Sequence, residues 1–182
     1  MVASIAAALP GMLRGGRLLM TQAVLSVGSN VGDRLAHLRS AVDQLRPYLG
    51  AVSPVYETLP WGPVSQPDYL NAVILASDER ADPAVWLIRA HAAENAAGRV
   101  RDLRWGPRTL DVDVIAVDDI EQRDADLTLP HPRAAERAFV LVPWLAVDPE
   151  ARLPGVAIAD LVAQLPPSEI SAVRMRPDLV LR

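Results

Sequence analysis

Between Arg99 and Asp113 the chain carries four arginines, a tryptophan, a Gly106-Pro107 turn and two carboxylates spaced Asp-x-Asp. Those residue types suit phosphate and metal. Leu110-Asp111-Val112-Asp113-Val114-Ile115 reads as an apolar strand interrupted on one side only. A period of two puts Asp111 and Asp113 on one face, roughly 6 to 7 Å apart along the strand, with Val112 and Val114 on the other. Two like charges held side by side favour a cation, and magnesium is the hard cation that takes carboxylate and phosphate oxygens together. Arg99, Arg101, Arg104 and Arg108 supply forked donors matched to phosphate oxygens. The same residues would also fit a solvated sheet face on which Asp and Arg neutralise one another.

The elements that must carry these residues follow from hydrophobic spacing. Ala23 to Val27 reads as a buried strand, broken by Gly28-Ser29-Asn30, which suits a helix-capping junction better than a phosphate cradle. The helix after it places Leu35, Leu38, Val42, Leu45 and Leu49 at helical spacing, with Pro47 and Gly50 marking its end. A strand from Ala51 to Glu57 leads into a proline-dense loop, Thr58 to Asp68, that contains Trp61 and Gly62. Leu70 to Ala76 is the next strand. Asp82 then caps a helix opened by Pro83 and closed by Gly98, with Trp86, Ala90, Ala93 and Ala97 along one face. The order strand, helix, strand, strand, helix, strand predicts an α+β, ferredoxin-like βαββαβ antiparallel sheet. Its helices pack on one face and leave the other open to ligands. Further on come a short strand near Leu127 to Leu129, a Pro130-His131-Pro132 corner, an apolar run from Phe139 to Val147, and a helix from Ile158 to Leu165 within a C-terminal extension. Trp86 and Trp144 read as core, His37 as solvated, and Trp105 and His131 as ligand contacts.

Composition narrows the chemistry. The 182 residues are 51% apolar and 22% charged, enough for one domain over residues 21–182, with residues 1–20 an extension outside the periodic pattern. A net charge of −4 gives no global basic field for nucleic acid, so the arginine cluster is local and its partner small. The chain has no cysteine, and His37, His91 and His131 lack zinc-ligand spacing, so any metal is held by oxygen. Every basic residue other than histidine is arginine, which excludes a Walker-type loop, a protein-kinase site and Schiff-base chemistry. No segment holds the 18 apolar residues needed to span a bilayer, and a cytoplasmic monomer with no membrane or nucleic-acid partner is expected.

Read together, Arg104-Trp105-Gly106-Pro107-Arg108-Thr109-Leu110-Asp111-Val112-Asp113 closely resembles the signature of the 6-hydroxymethyl-7,8-dihydropterin pyrophosphokinases of folate biosynthesis. The resemblance extends to Val27–Arg34, Gln66–Asn71, Gly98–Arg101 and Leu129–Pro132, and covers roughly Thr21 to Glu150. It implies a ferredoxin-like, ATP-dependent diphosphotransferase that moves diphosphate from ATP to the pterin hydroxymethyl group with two Mg2+ ions. Carried over by position, Asp111 and Asp113 would bind both metals, and Arg99 and Arg101 would reach the transferring phosphates from a mobile loop. Arg104, Arg108, His131 and His91 would hold ATP. The pterin would lie between Trp105 and Phe139, with Asn71 and the Thr58, Leu59 and Pro60 backbone at its edge and Tyr69 lining the pocket. Glu94 matches a position that faces this site. His91, Leu59 and Pro132 depart from residues that some members carry, and the loop around Asp102 and Leu103 is a residue shorter than in some relatives.

Two other readings fit parts of the sequence. A Gly-Ser turn plus an Asp-x-Asp pair also describes a two-metal nucleotidyltransferase, although there the elements lie close in sequence. A ferredoxin-like RNA-binding module would carry exposed aromatics and a basic sheet, where this chain offers carboxylates.

Overall fold

A computed structural model of the chain describes residues 21–60, 65–99 and 106–181. Residues 1–20, Trp61, Gly62, Arg101, Asp102, Leu103, Arg104 and Trp105 lie outside the described residues.

The centre of the molecule is an antiparallel sheet. Strand β1 (Thr21–Ser29) lies between β4 (Tyr69–Asp78) and β5 (Asp111–Val117). On its far side β4 pairs with two short strands, β2 (Leu49–Val52) and β3 (Tyr56–Thr58). These stand where the sequence suggested one strand from Ala51 to Glu57. Ser53 and Pro54 separate them: proline has no N–H for the ladder, and Ser53 Oγ accepts from the Val73 amide instead. Helix α1 (Arg34–Leu45) connects β1 to this edge, and α2 (Pro83–Ala96) connects β4 to β5, giving the ferredoxin-like order.

Both helices start on an aspartate cap. Asp33 accepts from the Ala36 amide, and Asp82 accepts from the Val85 amide ahead of Pro83. Asn30 is therefore not the cap of α1. The helix also ends earlier than its leucine spacing suggests, because Pro47 turns residues 46–48 into a 3-10 segment and Leu49 begins β2. Gly98, at φ 67°, ends α2 in the left-handed conformation that a Cβ disfavours.

One sheet face is apolar along its full length. Leu25, Val27, Ile74, Val112 and Val114 meet Leu38, Val42 and Leu45 of α1 and Trp86, Ala90 and Ala93 of α2, all buried. Each such large side chain contributes on the order of 1.5–3 kcal/mol through burial.

The other face divides in two along its strands. Val24, Val73, Ile115 and Ala116 form an apolar half, and Ser26, Gly28, Asn71, Asp111 and Asp113 a polar half. A register shift between Val24 and Leu25 lets both Ile115 and Ala116 join the apolar half. That half is not open. Helix α3 (Ala138–Val147) covers it through Val140, Leu141 and Trp144, and Ile158 of α4 (Ile158–Gln164) packs alongside. The polar half is left facing a cavity lined by both aspartates.

The remaining elements are short. A hairpin of β6 (Gln122–Arg123) and β7 (Thr128–Leu129) lies beside β5, and a second, β8 (Arg152–Leu153) with β9 (Val156–Ala157), precedes α4. After α5 (Pro167–Ser171), strand β10 (Arg174–Met175) adds to the sheet outside β3. No helix among the described residues is long and apolar enough to cross a membrane.

Candidate active site

The strand register sets the pocket floor. Gly28 lies between Asn71 and Asp111, and Ser26 between Val73 and Asp113, so both carboxylates rise from the same face as Asn71. A cavity of about 300 Å3 opens over this floor, lined also by Thr58, Leu59, Tyr69, Gln66, Arg108, His131, Arg137 and Phe139. A second cavity of about 420 Å3 follows the free edge of β5, between His91, Glu94 and Arg99 on one side and residues 124–128 of the β6–β7 hairpin on the other. Arg108, Asp111, Asp113 and His131 line both cavities. The two carboxylates thus sit where two spaces of different character meet.

The first space suits a flat, hydrogen-bonding molecule. Asn71 is buried, its Nδ2 donates to Thr58 Oγ1 at 2.7 Å, and its carboxamide lies over Gly28. A Cβ at Gly28 would come within 2.7 Å of Asn71 Oδ1, so only glycine leaves room for that side chain. Phe139 supplies a ring, and burial raises the Tyr69 phenol above its ordinary pKa, with Arg108 pulling the other way, so the hydroxyl stays protonated.

The second space is ringed by charge. Arg99 is nearly buried and bridges Glu94 to Asp111, 2.7 Å from Asp111 Oδ1. Glu94 is buried at the end of α2 and also accepts from the Val112 amide of β5 at 3.0 Å. Arg108 donates to the other oxygen of Asp111 at 2.5 Å. Burial opposes the charge on Arg108, but Asp111 outweighs it and holds the guanidinium protonated. Asp113 receives Arg137 Nη1 at 3.0 Å, and the Arg137 guanidinium lies 5.5 Å from the centre of the Phe139 ring.

His131 joins the two spaces. Its amide donates to Ile115 O, and its Nδ1 accepts from the Arg133 amide, so the neutral ring carries its proton on Nε2. Burial lowers its pKa against an opposing pull from Asp113, and Arg137 adds to the lowering. The ring is therefore a neutral donor at neutral pH.

Of the residues expected from sequence, the first cavity gathers Thr58, Leu59, Tyr69, Asn71, Phe139, Arg108, His131 and both aspartates, and the second gathers His91, Glu94 and Arg99. Pro60 is described but lines neither cavity. Arg101, Arg104 and Trp105 fall outside the described residues.

Sequence reasoning missed Arg137, Ser26, Gly28 and Gln66 as lining residues, and misjudged Asn30 and His37. Ser26 left a trace, as the one polar residue inside the apolar run from Ala23 to Val27, and Arg137 stands two residues before Phe139. Asn30 proves to be a buried clamp. Its Nδ2 donates to Gln66 Oε1 and Pro67 O, and its Oδ1 accepts from the Arg108 amide, tying three loops around the cavities. His37 is half-buried and within hydrogen-bond distance of the buried Ser29 hydroxyl, not a solvated side chain.

The chain is 51% identical over 176 residues to the 2-amino-4-hydroxy-6-hydroxymethyldihydropteridine pyrophosphokinase of Mycobacterium tuberculosis, covering 89% of this chain and 94% of the relative. A protein of the same name from Methylorubrum extorquens is 42% identical over 158 residues, covering 85% of this chain and 99% of the relative. Among solved structures, wild-type HPPK-DHPS of Plasmodium falciparum shares the fold, with a TM-score of 0.60 at 14% identity, covering 80% of this chain. This chain spans 45% of that longer one. The family model of 7,8-dihydro-6-hydroxymethylpterin-pyrophosphokinase (HPPK) matches residues 24–149, and the chain belongs to that family.

Proposed function

We propose that this protein transfers diphosphate from ATP to the hydroxymethyl group of 6-hydroxymethyl-7,8-dihydropterin, giving AMP and the pterin diphosphate of folate biosynthesis. One observation carries the reading: Asp111 and Asp113 line both of two adjoining cavities, one amide- and ring-lined, the other ringed by arginine and histidine. A reaction that joins a flat heterocycle to a triphosphate needs that adjacency.

In the transfer the pterin hydroxyl oxygen attacks the β-phosphorus, the bond from that phosphorus to the α,β-bridging oxygen breaks, and AMP leaves. The hydroxyl proton passes to solvent as the new bond forms, so no protein base is obligatory. The pterin lies in the first cavity against Phe139, with Asn71, Thr58 and the Leu59–Pro60 backbone at its edge, and Tyr69 donates from the wall. ATP lies in the second cavity beside His91, where Arg108 and the Nε2 proton of His131 face its phosphates. Arg99 neutralises the migrating diphosphate on exchanging its carboxylate partners for phosphate oxygens. Arg137 does the same from the pterin side while holding Asp113 in place.

The donor set fits Mg2+. Two carboxylates with side chains 22% and 34% exposed share one face at the cavity boundary. Among the described residues no group of three or more acidic or histidine side chains gathers to hold a metal, so the other ligands would have to come from substrate and water. Asp111 and Asp113 would hold two Mg2+ ions completed by phosphate and water oxygens, as this ion prefers. When bound, the ions supply charge neutralisation on the phosphates and ease loss of the hydroxyl proton. Residues 21–182 act as one unit in the cytoplasm, and a monomer suffices because one chain builds both cavities. Neither nucleic acid nor membrane is a partner.

The test is conversion of ATP plus hydroxymethyldihydropterin to AMP and pterin diphosphate with Mg2+ present. Release of free diphosphate independent of pterin would overturn the reading in favour of nucleotidyl transfer.

A further inference from the structure

We infer that segment 174–181 is a strap that sets the pterin edge of the pocket, with Glu57 and Arg176 as positioning residues. The inference rests on the pterin reading above. Strand β3 carries Thr58 but is only three residues long, too short to define its own twist against β4. Strand β10 gives it a second neighbour, pairing Arg174 with Glu57 and Met175 with Tyr56, and the Arg176 amide donates to Val55 O at 2.8 Å.

The side chains lock the same strand from its other face. Thr58 points to the pocket, so Glu57 points to the helix side. There its Oε1 accepts from Arg34 of α1 at 3.1 Å and its Oε2 from Arg176 at 2.9 Å. Asp178 takes two further nitrogens of Arg176, at 3.0 and 2.8 Å, so the guanidinium is held on both sides. Arg34 Nη1 also donates to Asp68 O at 2.7 Å, and Arg174 lies 3.6 Å from Asp68 Oδ2. Glu57 and Asp68 each precede a pocket residue, Thr58 and Tyr69, and those two are paired across β3 and β4. One ionic cluster therefore fixes the rotation of both strands where they enter the pocket.

The strap has its own anchors. Arg39 Nε donates to Val180 O at 2.9 Å, and Leu181 is buried in the core with Leu179 packed against it. Its effect reaches the substrate through the Asn71–Thr58 hydrogen bond, whose geometry depends on where β3 holds Thr58. Small errors in such placement are expensive in binding and rate.

The experiment is steady-state kinetics on the full chain with Arg176→Ala, Arg176→Lys and Glu57→Gln, alongside thermal unfolding of each. Arg176→Ala and Glu57→Gln should raise KM for the pterin about tenfold, with kcat and KM for ATP within about twofold of wild type. Arg176→Lys keeps the charge but not the fork that spans Glu57 and Asp178, and should recover part of the loss. Unchanged pterin KM in the folded variants overturns the inference, as does an equal fall in kcat and in both substrates' affinities. Failure of both Arg176→Ala and Glu57→Gln to fold also overturns it, since the cluster would then be structural only. An inactive wild-type protein would instead overturn the pterin reading itself.

Discussion

Each of the two aspartates proposed to hold metal is already paired with arginine, and this sets what a substitution does. Asp113 holds Arg137 at 3.0 Å, while Asp111 sits between Arg99 and Arg108. Asp113→Ala removes a charge from the cavity boundary and one partner from Arg137, leaving the apolar strand face intact. Turnover should fall by at least 10²- to 10³-fold, about the loss seen when one pre-aimed electrostatic group is deleted from a transfer site. AMP formation at saturating Mg2+ measures this, and wild-type turnover would show that Asp113 has no part in the chemistry. Gly28→Ala probes the neighbouring space. Its new Cβ must displace the Asn71 carboxamide, which is already committed to Thr58, so KM for the pterin should rise about tenfold with KM for ATP unchanged. The Asp-x-Asp face was readable beforehand because a period of two is a rigid property of an extended chain. What surrounds these acids was less readable, since Arg137 reaches Asp113 across 24 residues and Asn30 fixes the Arg108 amide across 78.

Among the elements, legibility tracked how directional each pattern was. Helix α2 has a cap, an opening proline and a closing glycine, and its bounds followed from them. Helix α3 is apolar on nearly every side, and such a segment gives no sign of which surface it will cover. Its docking on Val24, Val73 and Ile115 closes half of the face that sequence left open, and so restricts the site to one end of the sheet. The split of one strand into β2 and β3 was hidden for another reason. Pro54 marks a break, but Ser53 restores the lost pairing by taking the Val73 amide, a side-chain substitution invisible without the partner strand. The caps give a direct stability test. Asp82→Ala leaves the Val85 amide without its acceptor and should destabilise the fold by about 1 kcal/mol. In a chain of this size that lowers Tm by roughly 2–4 °C. An unchanged Tm would mean that α2 is held by its packing against β5 and α1 without help from the cap.

For the molecule as a whole, Glu57 ties the C-terminal segment back to the first half of the described chain, linking α1, β3 and the segment after β10. Partial burial works to raise the pKa of this carboxyl, but its hydrogen bonds from Arg176 and Arg34 overcome that and hold it below the ordinary carboxylate value. The sign of the pH dependence follows from linkage. A carboxyl with a depressed folded pKa binds fewer protons folded than unfolded, so its contribution to stability is fully present above the unfolded value of about 4.3. That contribution fades as pH falls through the folded pKa, and below both values the neutral group contributes nothing through charge. Other carboxylates titrate in the same range, so the wild-type curve alone cannot isolate this one. The difference between wild type and Glu57→Gln can, because groups untouched by the change cancel. Denaturant unfolding should give a stability difference that is largest and flat from pH 5 to 7 and shrinks steadily below about pH 4. A difference that stayed constant down to pH 3 would mean that the Glu57 charge does not help fasten segment 174–181 to the sheet, and that backbone pairing with β3 and the burial of Leu181 hold it there.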